Sequence, residues 1–326
     1  MAINLLDIAP HKVSTDLSEY ITFIYGAPKT GKTTFATQMP KHLLLAFEKG
    51  YNALPGVMAQ DVTTWGEMKQ ILRELKKPEV REIYQSVIID TVDIASTLCQ
   101  KYICQQLGIE NIGDGGFSTN GWDKYKKEFE DTFRTLTMLG YAVVFISHEK
   151  RVKNSKTEVT TICPSTQSSA LSIIENMADI YGYAHQVRGE NGESKVILTL
   201  RTSEDIACGG RFKYIDNEID FTYDSLAKAL KEAIAREAKV TEGKYITEQR
   251  QTDVVVQEFD YDSLRGEFEG LVGELMGKDQ AYYGPRITQI VDKYLGKGKK
   301  VSDTTRDQAE LISLVNEEIK EDLLNK

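Results

Sequence analysis

Tyr20-Ile-Thr-Phe-Ile-Tyr-Gly-Ala-Pro-Lys-Thr-Gly-Lys-Thr-Thr-Phe-Ala-Thr37 is the stretch on which the fold turns. Its first six residues are apolar, β-branched or aromatic and predict a buried strand. Gly26-x-x-x-x-Gly31-Lys32-Thr33 follows, and an apolar helical pattern runs on through Phe35 and Met39. A strand, a glycine-bounded loop and a helix in that order describe a phosphate-binding loop, or P-loop. Gly26 and Gly31 let the backbone fold around phosphate oxygens with its N–H groups inward. The helix beginning near Lys32 adds its positive end. Lys32 is the cation for the β- and γ-phosphates, and the Thr33 hydroxyl is a candidate Mg²⁺ ligand. The cradle expected from these features runs through Gly26, Ala27, Pro28, Lys29, Thr30, Gly31, Lys32, Thr33 and Thr34.

The chain has 326 residues, enough for one large α/β domain and a smaller appendage. A 41% hydrophobic and 27% charged composition is that of an ordinary globular protein. With no run of about eighteen apolar residues and no basic-then-apolar leader, the expectation is a cytoplasmic protein without a membrane partner. Cys99, Cys104, Cys163 and Cys208 lack metal-ligand spacing and are expected as buried thiols. The net charge of −9 repels phosphate overall, so any nucleic-acid contact has to come from a local basic patch.

Residues 1–19 are expected as an N-terminal arm and 20–238 as the core. His42-Leu-Leu-Leu-Ala-Phe47 predicts a second strand, ending at Glu48-Lys49-Gly50. Placed one strand over from the P-loop, Glu48 is the candidate for orienting or deprotonating the attacking water, since open α/β sheets bind ligands beyond the carboxyl ends of their strands. Trp65 to Leu75 is amphipathic and predicts a helix that ends before Pro78. Ser86-Val-Ile-Ile-Asp90-Thr91 predicts a central parallel strand, with Asp90 holding the Mg²⁺ shell from its carboxyl end. Thr91 stands where many ATPases place a catalytic glutamate, which adds weight to Glu48. Val92 to Leu107 predicts a helix, and the five glycines of 108–121 predict a mobile loop.

Tyr141 to His148 predicts another buried strand, placing Ser147 or His148 to sense a γ-phosphate. The cations Lys150, Arg151, Lys153 and Lys156 follow in a short loop and are candidates for a nucleic-acid backbone. Two strand-like segments flank a turn at Asn191-Gly192. Arg201 and Arg211 end or begin strands on the far side, where an oligomer would present them to a neighbour's nucleotide. Residues 239–257 are polar and read as a linker. In 258–326, Leu264 to Leu275, Ile287 to Leu295 and Leu311 to Leu323 predict three helices, the last capped by Ser302, Asp303 or Thr304.

Residues 20–215 resemble the RecA-type ATPase core, and most of all the phage and prophage nucleotide-binding ATPases, including the Sak-type single-strand annealing group. The resemblance rests on Gly26 to Thr33, Leu44 to Glu48 with Lys49 to Gly56, Val87 to Thr91, Val144 to Lys150, Arg201-Thr-Ser and Gly210-Arg211-Phe212. It implies a RecA-like fold, ATP and Mg²⁺ as cofactors, Glu48 activating water, and 108–121 and 149–169 facing single-stranded DNA. It also implies Arg201 and Arg211 near a subunit interface of a homo-oligomeric ring or filament in a bacterial host cell. His148 stands where recombinases usually have glutamine, and neither loop matches a recombinase DNA-binding loop. The C-terminal helices are a candidate dock for a replication or recombination protein. The expected activity is a DNA-stimulated ATPase in annealing or recombination. The competing readings are a nucleotide-gated replication scaffold, a helicase or helicase loader, and a small-molecule P-loop kinase.

Overall fold

The computed structural model describes residues 9–153, 158–188, 192–239, 245–250 and 259–324. It divides into two compact units, Met1–Val255 and Val256–Lys326. The first opens with β1 (Val13–Ser14), followed by the P-loop strand β2 (Thr22–Gly26), the short helix α1 (Lys32–Ala36), β3 (His42–Ala46) and β4 (Ala59–Asp61). Helices α2 (Trp65–Leu75) and α3 (Pro78–Ile83) lead to β5 (Ser86–Asp90), α4 (Val92–Leu107), α5 (Gly121–Met138) and β6 (Ala142–Lys153). Then come β7 (Thr160–Pro164), α6 (Ser168–Met177), β8 (Ile180–Arg188), β9 (Ser194–Thr199), β10 (Gly209–Gly210), β11 (Glu218–Asp220), α7 (Tyr223–Ala238) and β12 (Ile246–Thr247).

The sheet order is β11-β9-β8-β2-β6-β5-β3-β4, and β8 through β4 are mutually parallel. β2 and β5 are buried along their whole length, as a parallel sheet covered on both faces requires. Alternation sorts the side chains. Ile24, Val144 and Ile146 pack with Phe35 of α1 and Leu226 and Leu230 of α7. On the opposite face Phe145 meets Phe133 of α5, which with Phe129 also meets Trp65 of α2. The mainly parallel α/β core expected from the sequence is the fold observed.

The Trp65–Leu75 helix ends before Pro78 as expected, and Pro78 then starts α3, where its missing N–H is no loss at the first helical position. Three sequence expectations need correction. β3 is not beside the P-loop strand, since β6 and β5 lie between them. The cationic segment after His148 is not a loop: β6 continues to Lys153 and pairs antiparallel with β7, forming a β-ribbon. Part of the expected linker is docked, because β12 pairs with β1 and Arg250 donates to the carbonyls of Gln85 and Gly140. The glycine-rich span 108–121 is closed by its own hydrogen bonds, from Asn111 N to Asp114 and from Thr119 Oγ1 to the Asp114 carbonyl.

The second unit holds α8 (Tyr261–Leu295) and α9 (Ala309–Ile319). α8 breaks at Asp279 (φ −161°, ψ 95°), whose carboxylate accepts from Tyr282 N and so caps the second half. The two halves match the two helices expected there. Their cluster of Leu275, Ile287, Ile290, Ile312, Val315 and Ile319 closes on Asn316, whose amide donates to the Leu264 carbonyl and to Glu267. The turn into α9 is held by Thr305 and Gln308 in a reciprocal box, not by Ser302, Asp303 or Thr304. Among the described residues no helix is long and apolar enough to cross a membrane.

Phe133 is fully buried between α2, α5 and β6. Phe133→Ala is expected to cost about 3–5 kcal/mol of core stability, read as a lower midpoint in urea unfolding of the intact chain.

Candidate functional site

Each glycine of the P-loop has its own reason. A Cβ at Gly26 would lie 2.2 Å from the Ala184 carbonyl oxygen on β8, so close strand approach excludes any side chain there. Gly31 has open space around it but sits at φ +87°, the left-handed conformation that starts α1. Lys29 shares that region at φ 66°. The loop is thus shaped by backbone conformation and sheet packing before any ligand enters.

Lys32 is 6% exposed, and its Nζ donates to the carbonyls of Gly26 (2.9 Å) and Ala27 (2.8 Å). Among the described residues no carboxylate forms an ion pair with it. Burial holds its ammonium below the ordinary lysine range, opposed by Asp90 and Glu48. Asp90, 3% exposed, shows the converse: burial raises its carboxyl, opposed by a 2.6 Å hydrogen bond from Thr33 Oγ1. The buried cation lacks an anion and the buried acid lacks a cation. A polyphosphate with a hard divalent ion supplies both, and Thr33 and Asp90 are the oxygen donors that Mg²⁺ prefers. Among the described residues no cluster of three or more acidic, histidine or cysteine ligands occurs, so phosphate and water oxygens would complete the shell.

Glu48 reaches this site although β3 lies three strands from β2. Phe47 N and Glu48 N both donate to the Asp90 carbonyl, at 2.7 and 3.2 Å, turning the chain across the end of β5. The carboxylate then meets His148 Nε2 at 3.3 Å. His148 stands beside Gly26 in the β2–β6 ladder, so the pair borders the P-loop. The hydrogen bond to His148 lowers the Glu48 carboxyl, and its mirror raises the His148 imidazole. His148 Nδ1 is buried and has no hydrogen-bond partner among the described residues. Ser147, the other candidate sensor, is fully buried, with its hydroxyl held by Asp93 and Thr166.

Asp93 is the residue that sequence reasoning missed. Ser147 Oγ (3.1 Å), Thr166 Oγ1 (3.2 Å), His148 N (3.2 Å) and Ser165 Oγ all donate to its carboxylate. Ser165 N donates in turn to the His148 carbonyl. Asp93 therefore ties the backbone of His148 to the end of β7, where the ribbon returns. Its position in the first turn of α4 reads from sequence only as a helix-start acid.

The remaining candidates are spread out. Lys150, Arg151 and Lys153 lie on the ribbon. Lys150 donates to the Thr166 carbonyl, Lys153 pairs with Glu158 at 3.6 Å, and Arg151 is exposed. Lys156 lies outside the described residues. Arg201 donates to the carbonyls of Phe212 and Lys213, and Arg211 pairs with Asp179 at 3.1 Å. Both arginines are engaged within their own chain, away from the P-loop cluster.

A family model described as an AAA domain, AAA_24, matches residues 18–212. The chain is also 29% identical over 328 residues to the SPbeta prophage-derived uncharacterized protein YorG of Bacillus subtilis (strain 168). That alignment covers 98% of this chain and 99% of the relative.

The Glu48–His148 pair makes stability pH-dependent. The raised His148 contributes fully below its ordinary value of 6.5 and loses its contribution as pH climbs through the folded-state value. The lowered Glu48 contributes above its ordinary 4.5 and loses it as pH falls through the folded-state value. Both side chains are about one-third exposed, so screening holds the pair to about 1 kcal/mol or less. His148→Ala is expected to lower Tm more at about pH 6 than at about pH 9 in thermal melts, by no more than about 2–4 °C. Equal losses at both would deny the charged pair.

Proposed function

The chain belongs to the AAA_24 family of AAA domains, and on that premise we propose that it is a phage-type ATPase acting on single-stranded DNA as an oligomer, of the Sak-like annealing kind. The observation that carries the reading is the uncompensated charge at the P-loop. Among the described residues, a buried ammonium with only carbonyl hydrogen-bond partners adjoins a buried Asp90 whose only hydrogen-bonding side chain is Thr33, and an acid–imidazole pair borders both.

In this reading Lys32 exchanges its carbonyls for the β- and γ-phosphates, and Thr33 and Asp90 would hold Mg²⁺, which would offset phosphate charge. Glu48 accepts the proton of the attacking water, with His148 setting the direction of its carboxylate. His148 is the sensor of the γ-phosphate. Because β6 carries His148 and continues as the basic ribbon, nucleotide state and DNA contact share one strand. Lys150, Arg151 and Lys153 give the acidic chain a local cationic surface. Arg211, 64% exposed, is better placed than Arg201 to reach a neighbouring subunit. The prophage origin in the name of the 29% identical relative supports the phage setting.

Lys32→Ala is expected to abolish ATP turnover, measured as phosphate release. Glu48→Gln is expected to retain ATP binding and stop hydrolysis; wild-type turnover in that variant would move the base elsewhere. Reversing the charges of Lys150, Arg151 and Lys153 is expected to weaken single-stranded DNA binding and lower its salt slope by about 0.7 per lost phosphate contact. An unchanged slope returns the ribbon to ordinary surface. Turnover with and without single-stranded DNA, alongside light scattering for mass, separates this reading from a kinase or a scaffold.

A further inference from the structure

Gly50 lies beside the candidate metal ligands in a way that the P-loop pattern does not foretell. It follows Glu48 in a tight turn closed by a hydrogen bond from Gly50 N to the Glu48 carbonyl (3.0 Å). A Cβ built on Gly50 would lie 3.7 Å from Thr33 Oγ1 and 3.9 Å from Asp90 Oδ2. Those two oxygens are themselves 2.6 Å apart. The residue is exposed, so this contact is at the mouth of the site rather than in the core. Its φ is outside the left-handed range, so the backbone does not call for glycine. The two usual reasons for a glycine, strained conformation and close packing against a main chain, are both absent here.

We infer that Gly50 is a positioning residue: its missing side chain leaves the clearance that a Mg²⁺ hydration shell would need beside Thr33 and Asp90. Mg²⁺ holds its ligands at about 2.0–2.1 Å in near-ideal octahedral geometry and keeps several waters. Water bridging the ion to Asp90 has to occupy space beside both oxygens, and a methyl group in van der Waals range of both intrudes there. The turn that carries Glu48 into the site thereby also sets how close the chain stands to the metal shell. The inference rests on the proposed nucleotide site and is tested separately from it.

Fluorescent ATP-analogue binding is titrated with Mg²⁺, and with excess EDTA, for the wild type, Gly50→Ala, Gly50→Val and the exposed neighbour Lys49→Ala. Mn²⁺ binding is followed in parallel by electron paramagnetic resonance. The Mg²⁺ concentration for half-maximal effect is expected to rise about tenfold in Gly50→Ala and further in Gly50→Val, as for other losses around a metal shell. Mn²⁺ binding is expected to weaken in step, while metal-free affinity, thermal stability and the Lys49→Ala control stay at wild-type levels. An unchanged metal requirement in both Gly50 variants overturns the inference. So does an equal loss of metal-free affinity, which would place the effect in the turn rather than in the shell. A wild type that takes up no nucleotide overturns the underlying site instead.

Discussion

The arrangement depends on a buried lysine ammonium that forms no ion pair among the described residues. Desolvating a cation is costly unless it is paired, and Lys32 has hydrogen bonds to two carbonyls of its own loop, with Asp90 and Glu48 opposing the cost without direct contact. The same cost, with the sign reversed, falls on Asp90 across the Thr33 hydroxyl. A core built for stability alone would have paired these two groups or excluded both. Keeping them apart leaves a gap in charge that matches a metal–polyphosphate, and the fold holds that gap open at the ends of its parallel strands.

What surrounds the gap is connected by backbone rather than by side-chain contact alone. The Asp90 carbonyl receives the turn after β3, which delivers both Glu48 and Gly50. The β2–β6 ladder sets His148 beside Gly26, and Asp93 grips the same histidine's amide together with Ser147, Ser165 and Thr166. A carboxylate accepting several hydroxyl and amide donors is a strong, directional anchor. It joins the strand that carries His148 to the turn that ends the ribbon.

Much of this was legible in the chain. The P-loop, the strand closing on Asp90, the helices Trp65–Leu75 and Val92–Leu107, and the apolar faces of the C-terminal unit follow from local pattern, because hydrophobic period and glycine placement are local properties. Strand order was not. Glu48 appeared to stand next to the P-loop because its strand comes next in sequence, yet parallel strands need crossovers, and β5 and β6 fill the intervening places. The ribbon was hidden for another reason: lysine, arginine and glutamate are poor strand formers alone, and only the pairing with β7 holds Glu149–Lys153 extended.

By itself the sequence determined the fold class and the P-loop pattern with Lys32 at its end, since each rests on residue types at fixed short spacing. The tertiary structure decided which distant residues meet there. Glu48 and Gly50 follow β3, Asp93 opens α4 after β5, and His148 stands on β6, and no periodicity records that they converge. Their meeting is a matter of sheet register and of where main-chain carbonyls find donors, which exist only once the strands have paired.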